Sequence, residues 1–171
     1  MTATQVAQAI PSKLAAPQGW QGQEPRVLNG SAAQKQCQLV GQWACAGLTS
    51  LATTQHFDSS SHQRDTDVKF TLLAYDSVEN AKASMKAAVA GNHKDNHGKA
   101  TPLALNVGAD ETDAYTEADD QGEYATAELR VGTVVAVMYG TSLPKEHDLQ
   151  SFAKMQVTRI TTAMSGKNPD A

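Results

Sequence analysis

Glu123-Tyr124-Ala125-Thr126-Ala127-Glu128-Leu129-Arg130-Val131-Gly132-Thr133-Val134-Val135-Ala136-Val137-Met138-Tyr139 is the stretch on which the fold turns. Ala125, Ala127, Leu129 and Val131 alternate with polar residues, the period of a strand with one buried face. After Gly132 the chain runs Val134-Val135-Ala136-Val137-Met138, apolar throughout, as expected of a central strand. One glycine between two such strands leaves room only for a hairpin, so the pair is antiparallel; a parallel pair needs a crossover of about a dozen residues. The expected fold class is therefore α+β, a mainly antiparallel sheet flanked by helices in a single domain.

Working outward, Val68 to Tyr75 reads as another strand, and Leu48, Leu51 and Phe57 lie in a segment of strand character. Val27-Leu28 followed by Asn29-Gly30 predicts a short strand ending in a turn. The turn also accounts for Asn29-Gly30-Ser31, which matches a glycosylation sequon. Leu103 to Val107 and Ala114-Tyr115-Thr116 are further strand candidates. Between the strands, Ser77 caps a helix whose apolar stripe is Val78, Ala81, Met85, Ala88 and Val89. Asp148 caps a closing helix with Leu149, Phe152, Ala153, Ile160 and Met164 on its inner side.

The ends differ from this regular middle. Pro11, Pro17, Gly19, Gly22 and Pro25 break residues 1–25 into short pieces, which predicts a partly flexible N-terminal segment. Residues 26–165 form the α+β domain, and 166–171, with nothing apolar larger than alanine, are expected to be a disordered tail. Trp20, beside the turn residues Pro17 to Gly19, is expected to close one edge of the core.

The chain has 171 residues, enough for one domain with a true core. Its 14 basic and 18 acidic residues give a net charge of −4, which supplies no basic field for nucleic acid. No apolar run approaches the ~18 residues of a membrane-spanning helix. The N-terminus lacks the basic flank and apolar block of a signal peptide, which taken literally points to the cytoplasm. The small polar start Thr2-Ala3-Thr4-Gln5 fits equally an initiator placed before a mature exported domain.

Candidate reactive groups are few. His93 and His97 stand four apart, as in zinc hydrolases, but Lys94 occupies the place of the glutamate base. Gly91, Asp95-Asn96 and Gly98 favour a solvated loop there. Glu117 to Glu128 mimics a calcium loop, yet its second half alternates as a strand, and a hairpin tip with a charged rim accounts for it. Ser59-Ser60-Ser61-His62 is a polar loop, and the sequence has neither a nucleophile elbow nor a phosphate loop. No catalytic residue, metal ligand or cofactor is assigned. Cys37 and Cys45 lie eight apart, far from the roughly two to four of a zinc site.

Several short motifs taken in order carry a resemblance. They are Pro17-Gln18-Gly19-Trp20, Val27-Leu28-Asn29-Gly30, Cys37 with Cys45-Ala46-Gly47-Leu48, and Phe70-Thr71-Leu72-Leu73-Ala74-Tyr75-Asp76-Ser77 leading into the alanine-rich helix. Gly108-Ala109-Asp110-Glu111 and Arg130-Val131-Gly132-Thr133-Val134-Val135 complete the set. Together they resemble the extracytoplasmic lipoprotein and sensor-type domains of actinobacteria, distantly similar to PsbP-like folds. The resemblance implies an exported, non-catalytic domain, often lipid-anchored, although no anchoring cysteine precedes this one. In such a compartment Cys37 and Cys45 are expected to oxidise to a disulfide, with Gly41 supplying the bend. Buried free thiols and a metal pair are the alternatives.

The functional expectation is a binding or sensing module for a protein, a cell-envelope ligand or a small molecule, extracellular or at the cell surface. Its contacts would lie on the exposed sheet face or in a cleft beside Trp20 and Trp43, although core packing accounts for both tryptophans as well. A membrane role is expected only through a lipid anchor. The alternative is a small hydrolase or metal-dependent enzyme using the histidines, which requires His93 and His97 to converge with a carboxylate.

Overall fold

The computed structural model describes residues 1–59, 66–95, 100–120 and 122–171. In chain order the elements are α1 (Ala3–Ala9), β1 (Trp20–Gly22), β2 (Arg26–Asn29), α2 (Ser31–Val40), β3 (Leu48–Asp58) and β4 (Asp67–Tyr75). They are followed by α3 (Val78–Asp95), β5 (Thr101–Pro102), β6 (Glu111–Asp119), β7 (Gly122–Val131), β8 (Val134–Thr141) and α4 (Leu149–Met164). All the strands join one antiparallel sheet in the order β1-β3-β4-β8-β7-β6-β5, with β2 also pairing with β3. The α+β architecture is the one read from the sequence.

Register follows from the hairpin at Gly132-Thr133, where Val131 faces Val134 and Ala127 faces Met138. β8 then pairs with β4, Leu72 opposite Ala136, so the most apolar strand lies between two others. Alternation along these strands feeds two cores. One holds Phe70, Leu72, Leu129, Ala136 and Met138 under α1 and α4. The other holds Leu51, Leu73, Tyr75, Val135 and Val137 under α2 and α3. The sheet is the middle of three layers.

The N-terminal segment contributes more than its turn residues suggest. Thr2 and Gln5 cap α1 reciprocally, and Val6, Ala9 and Ile10 are buried against α4. Residues 166–171, expected to be a tail, are held by charge where apolar contacts are lacking. Buried Arg159 pairs with Asp170 at 2.5 Å and donates to the Gln8 carbonyl at 2.8 Å, tying both termini to α4. Asp148 caps α4 through the Ser151 amide, and Leu149, Phe152, Ala153 and Ile160 are buried as expected; Met164, in the last turn, is 42 % exposed. The strand expected at Leu103 to Val107 shortens to Thr101–Pro102. Pro102 offers no N–H to the ladder, and after one further bond from Leu103 to Ala114 the chain leaves β6.

Cys37, buried on α2, and Cys45 form a disulfide with a Cα–Cα distance of 5.9 Å. α2 stops at Gly41, whose φ of +73° only glycine adopts without strain, and the chain turns back toward the sheet there. Tyr75 pins the same loop, donating to the Ala44 carbonyl at 2.9 Å while its hydroxyl lies 2.6 Å from Ser84. Replacing both cysteines by serine is expected to cost about 2 to 3 kcal/mol, because the unfolded chain loses its closed ring. Urea unfolding of oxidised protein and double variant reads this directly; coincident midpoints would refute it.

Candidate functional site

The face of the sheet toward α2 and α3 is built of cross-strand rows. Leu51, Leu73 and Val135 lie opposite one another, and the row ends in Arg130 and Glu111, which are ion-paired at 2.8 Å. The next row is Thr53, Thr71, Val137, Glu128 and Asp113, with Arg26 beyond Thr53 on β2. The third is Gln55, Lys69, Tyr139, Thr126 and Tyr115. α2 and α3 cover the apolar row, and polarity rises as the sheet runs out beyond the end of α3.

The end of α3 is latched by an unusual buried carboxyl group. Glu128 is fully buried, its Oε1 accepting from Asn92 Nδ2, while Oε2 has no hydrogen-bond partner among the described residues. Tyr139 Oη stands within 3.3 Å of Asn92 Nδ2. Burial pushes the Glu128 carboxyl up to about 7; the Asn92 bond opposes this, and neighbouring Asp113 adds to it. Next to it, His93 Nε2 lies 2.8 Å from Asp113 Oδ2, and the imidazole packs edge-on against Tyr115 at 5.6 Å.

This corrects the loop reading of His93, which sits in the last turn of α3. Gly91 costs the helix about 1 kcal/mol, but Met85, Ala88 and Asn92 are buried on the sheet side, and tertiary packing prevails. His97, like Ser60, Ser61 and His62, lies outside the described residues. Among the described residues, no three His, Cys, Asp or Glu side chains cluster as a metal site. Glu128, the last position of the apparent calcium loop, points under α3, away from the β6–β7 hairpin tip.

Two concavities flank this end of the sheet. The polar one, about 340 Å³, is lined by Lys69, Asn92, Tyr115, Tyr124, Thr126 and Tyr139, among others. It continues past Lys69 into a shallow groove of about 360 Å³ that reaches Gln55, Thr53 and Arg26. On the opposite face a larger cleft of about 630 Å³ opens where the chain after β5, the β6–β7 hairpin and the start of α4 meet. Leu103, Leu105, Leu143 and Leu149 form its apolar lining, and Glu117, Glu123 and Asp148 its acidic rim.

Trp20 and Trp43 are not brought together. Trp20 is 8 % exposed and packs edge-on against Phe152 at 5.2 Å and His147 at 5.9 Å. Trp43 packs against the core on the other face. Neither lines the concavities above. Glu128 and Asn92 escape the sequence reading because an acid in an alternating strand is indistinguishable from a solvated one until α3 is placed over it.

Comparison with solved structures finds likenesses of fold, among them an extracellular domain. The extracellular domain of PknH from Mycobacterium tuberculosis superposes with a TM-score of 0.56 over 96 % of this chain and 92 % of that one, at 14 % identity. At that identity the likeness is one of fold. No family model and no curated protein sequence matches the chain.

Proposed function

We propose that the chain is an extracellular, non-catalytic sensing module that takes a small, largely apolar ligand in the 630 Å³ cleft at the start of α4. The observation that carries this reading is the fold shared, end to end, with an extracellular domain. A disulfide in so small a loop fits an oxidising compartment. No helix of the described residues is long and apolar enough to cross a membrane, and the lipid anchor implied by the sequence resemblance belongs to the same proposal. The hydrolase alternative needs both His93 and His97 beside a carboxylate; His93 meets Asp113 and Tyr115 at the end of α3, and His97 lies outside the described residues.

The cleft is tested with the neutral apolar dye N-phenyl-1-naphthylamine. Its emission is expected to rise on binding, and Ala118→Trp, which fills the cleft from an exposed position, should weaken binding about ten-fold at an unchanged melting temperature. A dye that does not bind, or binds the variant equally well, would remove the cleft from the proposal.

A further inference from the structure

Charge is unevenly placed along the chain. Residues 100–129 hold eight of the 18 acidic residues and no Lys, Arg or His. Asp110 and Glu111 pair with Arg130 and Asp113 with His93, while Glu128 is buried under α3. Glu117, Asp119, Asp120 and Glu123 remain, all at the β6–β7 hairpin that walls one side of the 630 Å³ cleft. Ala125 packs on the core beneath α4, so Glu123, two residues earlier on β7, projects to the same face, as do Ala118 and Thr116 opposite them on β6. These small neighbours leave the hollow, and Leu103, Leu105 and Leu143, all at least partly exposed, supply its apolar wall. Glu123 is exposed and has no ion-pair or side-chain hydrogen-bond partner among the described residues. Across the cleft, Asp148 takes both of its bonds from Ser151 on Oδ1, and its charge offsets the positive end of α4. No Lys, Arg or His lines the cleft among the described residues, and nearby His147 packs against Trp20 instead.

We propose that the ligand of this cleft is an amphipathic cation, an apolar chain or ring carrying one ammonium group; the proposal rests on the cleft reading above and adds the charge. The apolar body lies against Leu103, Leu105 and Leu143, and the ammonium group sits at the rim between Glu123 and Asp148. Its three donors suit carboxylates on two walls, and such charge-assisted bonds are roughly twice as strong as neutral ones. A carboxylate on the same apolar body would meet like charge on both walls. A hydrophilic polycation would leave the leucines uncovered. The volume is that of a small-molecule site and too small for a folded partner.

Displacement of N-phenyl-1-naphthylamine by octylammonium, octanol and octanoate at neutral pH tests this, because the three share one apolar chain and differ in charge. Octylammonium is expected to compete about five-fold better than octanol, and octanol about five-fold better than octanoate, with both ratios shrinking as salt is added. Glu123→Lys should remove or reverse that order. Because Glu123 is exposed and the dye is neutral, the variant's melting temperature and dye affinity should both hold. Tetralysine, which has the charge without the apolar body, should not displace the dye. Equal competition by the three octyl compounds, a preference for octanoate, displacement by tetralysine, or an order indifferent to Glu123→Lys would each overturn the cationic ligand while leaving the cleft in place. A dye that fails to bind would overturn the cleft, and this proposal with it.

Discussion

Trp20→Ala and Phe152→Ala are each expected to lower folding stability by about 3 to 5 kcal/mol, well beyond the cost of losing the disulfide. Trp20 comes from the short β1 strand at the sheet edge, and Phe152 from the first turns of α4. Their rings meet edge-on at 5.2 Å, and Phe152 continues to Phe70 at 5.9 Å, so one aromatic column joins β1, α4 and β4. Deleting either ring removes its transfer free energy and leaves a cavity that a helix fastened by Arg159 and Asp148 cannot close. Urea unfolding gives the loss directly. A Trp20→Ala chain of unchanged stability, but altered ligand binding, would return Trp20 to the ligand-contacting role that its sequence neighbourhood allows.

The second large effect concerns pH. Glu128 has its proton affinity raised by burial from the ordinary 4.5 to about 7, so the folded state holds that proton more tightly than the unfolded chain does. Its stabilisation is complete below about pH 4.5 and is lost as pH rises toward 7. His56 works in the opposite sense. It is fully buried against Phe70, and burial lowers it from 6.5 to about 4; the Arg159 charge adds to this, and the Ser12 backbone acts against it. Its contribution is complete above about pH 6.5 and is lost as pH falls through 4. Between roughly pH 4.5 and 6.5 the two slopes nearly cancel, and the wild type should show little net dependence from this pair.

Single substitutions unmask each slope. In Glu128→Gln, which keeps an acceptor for Asn92, stability should climb by about 3 kcal/mol from pH 4 to 6.5. In His56→Leu it should fall by about 3 kcal/mol from pH 4.5 to 7. The groups facing Glu128 are Asn92 and His93 from α3, Asp113 from β6 and Tyr139 from β8, so Asp113→Asn should also flatten part of the alkaline slope. Denaturant midpoints across this range decide the matter. Parallel pH profiles for wild type and Glu128→Gln would show that Glu128 is ionised in the fold at neutral pH.

Local pattern carried the architecture. Alternation from Ala125 to Val131, the unbroken run from Val134 to Met138 and the glycine between them define a hairpin whatever surrounds it, because side-chain direction along a strand depends only on the backbone repeat. The stripes of α3 and most of α4 were readable for the same reason. Where local pattern misled, the missing information belonged to pairs of segments. α1 is short and soon followed by Pro11, and it persists because Val6 and Ile10 find α4. His93 is helical because the sheet beneath α3 outweighs Gly91, and Glu128 is buried because α3 lies over it.

The same holds for the sites. Gln55, Lys69, Tyr139, Thr126 and Tyr115 lie far apart in the chain, and no spacing links them. They become neighbours only through the register of four strand pairings, each set by turns and by which face is buried. The disulfide was expected from the compartment that the resemblance implies, and it joins Cys37 on α2 to Cys45 in the segment that returns to the sheet. Trp20 and Trp43, close enough in sequence to suggest one cleft, lie on opposite faces of the sheet because β1 and α2 pack against different cores. A residue's periodicity is a property of its own segment, whereas its surroundings are a property of the segments that meet there, and in this fold those meetings create both the groove and the cleft.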